Sequence, residues 1–199
     1  MRDMNANAHP TLARLPHFAG IEVSTLVPRL DALLDAQRAR IATLPATDSD
    51  AWEAIVTPME EMADELHRFF GPVSHLHNVA DTDALRTVYT ECVSRVSAFG
   101  AELEQNAGLC AAYQRLRARP GFAQFDNARR KLVDNALRDF RLGGVDLPAE
   151  TQARVTTLKV ELAQLAARFE ENVLDASQSF SLDISDEALL TGLRVSTLE

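Results

Sequence analysis

Between residues 155 and 173 the apolar residues Val155, Leu158, Leu162, Leu165, Phe169 and Val173 recur at steps of 3, 4, 3, 4 and 4. An α-helix, with about 3.6 residues per turn, gathers such positions onto one side, whereas a strand would scatter them over both faces. The spacing therefore predicts a long helix from about Pro148 to Asp175 with a seam like that of a coiled coil, which calls for a facing helix. The preceding segment, about Phe122 to Leu142, carries Phe122, Phe125, Leu132, Val133, Leu137 and Phe140 toward one side. Gly143-Gly144 offers a left-handed stop after it, and Pro148 opens the next helix. With so short a connection the two helices are expected to lie antiparallel as a hairpin, the seam buried and Leu162 in its middle.

The same period runs through most of the chain. Glycine and proline number eight each and fall mostly between periodic segments. A first helix is predicted from about Ser24 to Leu44, with Pro28 in its first turn. A second follows a cap at Asp50 with Glu53 three residues on, and is expected to stop at Gly71-Pro72. A third opens after Asp81 or Thr82 and carries Leu85, Tyr89, Cys92 and Phe99; a fourth spans about Glu102 to Ala118. The expected architecture is all-α, an antiparallel bundle of about six helices ending in the long hairpin. Residues 1–23 read as an extended leader, 24–176 as the helical domain and 177–199 as a tail. In the tail Phe180, Leu182 and Ile184 alternate with polar residues, the period of a short strand with no evident partner. The missing partner suggests that further polypeptide belongs beyond this tail.

Several function classes are excluded early. A formal charge of −9 repels phosphate-rich ligands, so no nucleic-acid partner is expected. No stretch is long and apolar enough for a membrane span, and the start does not read as a secretory signal, so a cytoplasmic location is expected. Cys92 and Cys110 stand singly among apolar helical positions and predict buried thiols without chemistry. A catalytic zinc needs about three protein ligands, and a helix supplies two on one face at spacings of three or four. The histidines His9, His17, His67, His75 and His77 include no pair four apart and none followed by Glu. His75-x-His77 is close enough to share a metal, with Asp81 and Asp83 nearby, but its apparent loop context favours capping or hydrogen bonding. No catalytic residue and no metal ligand is therefore assigned, and no cofactor is expected in this chain. Glu60-Glu61 and Glu170-Glu171 read as solvated faces.

A series of phrases is more specific. Val73-Ser74-His75-Leu76 is followed by Leu85-Arg86-x-x-Tyr89, Gln105-Asn106 and Ala112-Tyr113. Then come Arg138-Asp139-Phe140-Arg141-Leu142-Gly143-Gly144-Val145-x-Leu147-Pro148 and Phe169-x-x-Asn172-Val173-Leu174-Asp175-Ala176. In this order and spacing they closely resemble the amino-terminal helical region of the oligopeptidase A and thimet oligopeptidase family of zinc metallopeptidases, over nearly the whole chain. Two departures stand out: the family generally has Asn where His77 stands, and usually continues with proline after Leu190-x-Gly192-Leu193.

The resemblance implies a family of peptidases in which a helical ellipsoid is split by a deep channel and short peptides reach a zinc at its floor. In that family a His-Glu-x-x-His helix and a downstream Glu hold the metal, far beyond the region this chain resembles. The implied role is a channel wall, with zinc, short peptides and the catalytic region as partners in the full-length enzyme and no peptidase activity in this chain alone. Arg138 and Arg141 are the candidates for binding substrate, since guanidinium groups hold carboxylates through paired hydrogen bonds; their plainer role is to end a helix beside its carbonyls. The alternative is a stand-alone helical scaffold from a shortened gene, self-associating or binding partners through an exposed apolar face.

Overall fold

The computed structural model describes residues 16, 18–44 and 52–198. Its helices are α1 (Val23–Thr43), α2 (Trp52–Val79), α3 (Asp83–Glu104), α4 (Ala107–Ala118), α5 (Asn127–Gly143), α6 (Ala149–Ser179) and a last short turn, α7 (Val195–Leu198). The protein is all-α, as its apolar period predicts. The proposed cap at Asp50 and most of the leader lie outside the described residues.

Burial follows helical spacing. Leu26, Leu30, Leu34, Gln37 and Ile41 of α1 turn inward, as do Leu85, Tyr89, Cys92 and Phe99 of α3 and Leu109, Ala112, Tyr113 and Leu116 of α4. α3 is the central helix of the bundle, packing against α1, α2 and α5, while α4 lies on α5. The buried Gln37 joins two helices by donating from Nε2 to the carbonyl of Met62 at 2.8 Å. That bond removes the cost of enclosing an amide among leucines. At the rim, Arg38 grips Glu102 through two bonds of 2.7 and 3.0 Å, and Arg95 meets Asp31 at 2.8 Å. The Glu102 carboxylate raises the pKa of the Arg38 guanidinium above its ordinary value.

Several boundaries differ from expectation. Pro28 sits in the second turn of α1, flanked by the buried Leu26 and Leu30. α2 does not stop at Gly71-Pro72 but continues to Val79, with Pro58 and Pro72 both inside it. An interior proline costs a helix about 3 kcal/mol. Val73 and His77, both about 1% exposed, are buried beyond it, and that burial keeps the helix going. α3 runs past Gly100 because Ala101 is part of the core; the break falls at Gln105-Asn106, where Asn106 Oδ1 accepts the Leu109 N–H at 2.8 Å. Likewise Phe122–Gln124 form a separate 3-10 turn, and α5 begins only after Asp126, whose carboxylate accepts the Arg129 N–H at 2.8 Å. Such caps satisfy the N–H groups that a helix start leaves without intrahelical partners.

The largest correction concerns the final long helix. α5 ends as expected, with Gly144 in the left-handed region at φ +90°. Gly143 allows α5 to approach α3, since a Cβ there would overlap Glu104. After the turn, however, α6 does not bury its leucine seam against α5. Leu158, Leu162 and Leu165 are 46%, 68% and 53% exposed. The inner side of α6 is instead Gln152, Thr156, Ala163 and Ala167, of which Ala167 is buried. That side is tied to α3 by polar bonds: Gln105 Nε2 to the Gln152 carbonyl at 3.1 Å, Thr156 Oγ1 to Gln105 Oε1 at 3.3 Å, and Gln164 Nε2 to Ser94 Oγ at 2.8 Å. Lys159 pairs with Glu104 on the same line. Rising numbers on α6 meet falling numbers on α3, so these two run antiparallel. Hydrogen bonds and an ion pair, rather than leucines, join α6 to α3 along this line.

Two compact units emerge, one ending at Ala167 and one from Arg168 to Glu199. Within the second, Phe169 and Val173 of α6 are exposed, as are Phe180, Leu182 and Ile184. The expected strand is absent: 180–186 is irregular and is followed by a 3-10 turn, Glu187–Leu190, capped by Asp186. An alternating segment becomes a strand only beside another extended segment, and none of the described residues supplies one.

Candidate functional site

The end of α5 carries the two candidate arginines. Phe140 points into the core, edge-on to Tyr113 with ring centres 5.6 Å apart. Arg138 and Arg141, three residues apart and hence on neighbouring positions of one face, are exposed. Arg138 lies against its neighbour Asp139, with bonds of 3.0 and 2.8 Å to Oδ1. The two guanidinium groups thus share a solvent-facing side of the helix end.

The histidine pair does not lie in a loop. His75 and His77 are both within α2, and a step of two turns their side chains to nearly opposite sides. His75 is exposed and tilts against Phe18, with ring centres 5.4 Å apart. His77 is buried and stacks on Tyr89 at 4.0 Å, while Phe70 covers another part of Tyr89 at 5.5 Å. Asp81 is taken by Arg86 at 2.7 Å. Among the described residues no three His, Cys, Asp or Glu side chains come together to hold a metal. His75, His77 and Asp81 therefore do not fit a zinc site.

The stretch of α2 around Gly71-Pro72 offers what the sequence reading missed. Beside Gly71 and Pro72 lie two adjoining grooves of about 520 and 330 Å³. The larger is lined by Phe18, His67, Arg68, Gly71, Pro72 and His75; the smaller reaches Ile21, Leu26, Arg29 and Phe69. Arg29 sits over the Phe69 ring at 5.5 Å, and Arg68 is held by Asp64 at 2.6 Å. Gly71-Pro72 was itself the signal: read as a helix end, it marks instead a place where a continuing helix has small or ring-closed side chains and leaves space.

Both thiols are buried and free. Burial pushes Cys92 up to about 11 and raises Cys110 as well, so neither is a thiolate near neutrality. Burial, with a lesser contribution from Glu60, also lifts the Tyr113 phenol above its ordinary range. The titratable groups that burial perturbs are thus core groups, away from the grooves.

A helical bundle that turns grooves and an apolar row outward is, in class, an all-α domain. The chain belongs to the neurolysin/thimet oligopeptidase family: residues 30–152 match the family described as "Neurolysin/Thimet oligopeptidase, N-terminal domain". It is 36% identical over 185 residues to oligopeptidase A of Salmonella typhimurium and, equally, to that of Escherichia coli K12, in each case across 92% of this chain and 27% of the relative. Dipeptidyl carboxypeptidase of E. coli is 22% identical over 179 residues, 89% of this chain and 26% of the relative. The chain spans about a quarter of the length of the curated relatives it matches. Among the described residues no helix is long and apolar enough to cross a membrane.

Proposed function

We propose that this chain is the amino-terminal wall of a zinc-dependent, cytoplasmic oligopeptidase that cleaves short peptides, with the metal and its ligands carried by the polypeptide that follows this region in the relatives. The 36% identity to oligopeptidase A across 92% of the chain is the observation that carries this reading. A rigid bundle restricts which peptides reach a reaction centre, and its contribution to catalysis is to position and exclude. Arg138 and Arg141 offer two guanidinium groups on one exposed face, suited to the carboxylate of a peptide.

The test is a joined chain in which these 199 residues replace the matched quarter of E. coli oligopeptidase A. It is expected to hydrolyse a short peptide, to lose that activity to a zinc chelator, and to leave a folded protein of similar size intact. The 199-residue chain by itself is expected to hydrolyse none of these. Chelator-sensitive hydrolysis by the short chain, or a folded joined chain without hydrolysis, defeats the proposal. In the active joined chain, Arg138→Ala with Arg141→Ala is expected to raise KM several-fold for peptides with a free carboxylate and leave amidated peptides unaffected; equal effects on both remove the arginines from the substrate path. The alternative of a stand-alone scaffold draws on one observation, the outward leucines of α6, and predicts stable capture of a partner by the short chain alone.

A further inference from the structure

The leucines of α6 are spaced for helix packing yet face away from the bundle that holds the helix. Taking 100° per residue, Gln152, Thr156, Ala163 and Ala167 cluster around one direction, and Leu158, Leu162 and Leu165 around the opposite one. Gln152 and Thr156 are bonded to Gln105, Ala163 is half-buried and Ala167 buried; the second group is 46%, 68% and 53% exposed. A row of leucines at steps of 4 and 3 is the surface that accepts knobs from a second helix.

The match to the family's N-terminal domain runs over residues 30–152 and reaches only the first turn of α6, whereas the similarity to oligopeptidase A covers 92% of this chain and 27% of the relative. α6 is therefore within the stretch shared with the relatives, most of whose length lies outside that stretch, and up to Ala167 it belongs to the same compact unit as the bundle. We infer that the outward row Leu158, Leu162 and Leu165 is the seam on which an apolar helix face from the following polypeptide of the same oligopeptidase docks, so that α6 serves both regions, polar side to α3 and leucine side to the next. This rests on the function proposed above. It also accounts for the division of labour on the helix: hydrogen bonds fix its register on the bundle, and apolar burial is reserved for the other contact.

The experiment places one cysteine at Leu162→Cys and measures the rate of maleimide labelling. Native Cys92 and Cys110 are buried and stay silent, and Val79→Cys serves as an exposed reference. In the 199-residue chain at low concentration, position 162 is expected to label as fast as position 79. In the joined chain it is expected to slow by on the order of 100-fold, the reactivity then being limited by local opening. Equal rates in the short and joined chains overturn the seam. So does protection in the short chain that grows with its own concentration, which assigns the row to a second copy. Hydrolysis is read from the same joined chain before the cysteine is introduced: protection without hydrolysis leaves the seam standing and removes the peptidase reading, and hydrolysis without protection does the reverse. Leu165→Cys repeats the measurement one step further along the row, so a local distortion at either position is recognised by disagreement between the two.

Discussion

The consequential single residues are those that the bundle encloses. Gly143 lies where α5 meets Glu104 of α3, and a methyl group has no room there. Gly143→Ala is expected to destabilise the bundle by about 1–3 kcal/mol, the usual cost of overpacking, measured as a lower urea midpoint. Cys92 supplies a pH dependence. Its thiol would ionise near 9.0 in the unfolded chain but only near about 11 when folded. Above the first value the unfolded chain binds fewer protons than the native one, so the contribution to stability is complete below pH 9 and is lost as the pH rises to 11. Tyr113, raised for the same reason, carries the decline further into alkali. Urea midpoints should therefore fall across this window, and less steeply in Cys92→Ala; an identical slope in the variant would remove the thiol from the account.

At the scale of the element, α6 shows how spacing and burial part company. Leu30 of α1 and Leu162 of α6 occupy equally regular apolar rows, yet Leu30 is fully buried and Leu162 is 68% exposed. Leu30→Ala is expected to cost about 2–5 kcal/mol. Leu162→Asp, which would be severely destabilising inside a hairpin, is expected to change the stability of the 199-residue chain by no more than about 0.5 kcal/mol. Thermal melts followed by circular dichroism distinguish the two; a large loss from Leu162→Asp would mean that the row is covered within this chain. α2 makes the complementary point. Its two internal prolines argue locally for a break, and the burial of Val73 and His77 keeps the helix intact.

At the scale of the whole bundle, Trp52 is the single tryptophan and lies at the start of α2, edge-on to Phe125 at 5.7 Å and under Arg129 of α5 at 5.2 Å. Cys92 is buried on α3. If α2, α3 and α5 share one core, tryptophan emission and Cys92 labelling should change at the same urea concentration. Separated transitions would show that the bundle unfolds in pieces.

The helical class, a helix start at Asp81 or Thr82 and a stop at Gly143-Gly144 were legible along the chain, because each depends on groups within a turn or so of one another; the structure puts the cap at Thr82 and the left-handed residue at Gly144. The oligopeptidase phrases were legible for the same reason, since they preserve local helix ends and turns. What periodicity could not reveal is what lies opposite an apolar row. It placed Leu162 on the same side as Leu158 and Leu165, and the short connection then assigned all three to a buried hairpin with α5, where the structure leaves them exposed. The grooves beside Pro72 were hidden by the same ambiguity, since a proline reads as a terminus until burial on its far side is seen. Sequence determines which side chains share a face, through the fixed pitch of the backbone. Only the tertiary structure decides which face is enclosed, because that depends on bonds such as those from Gln105 and Gln164, whose partners lie tens of residues away.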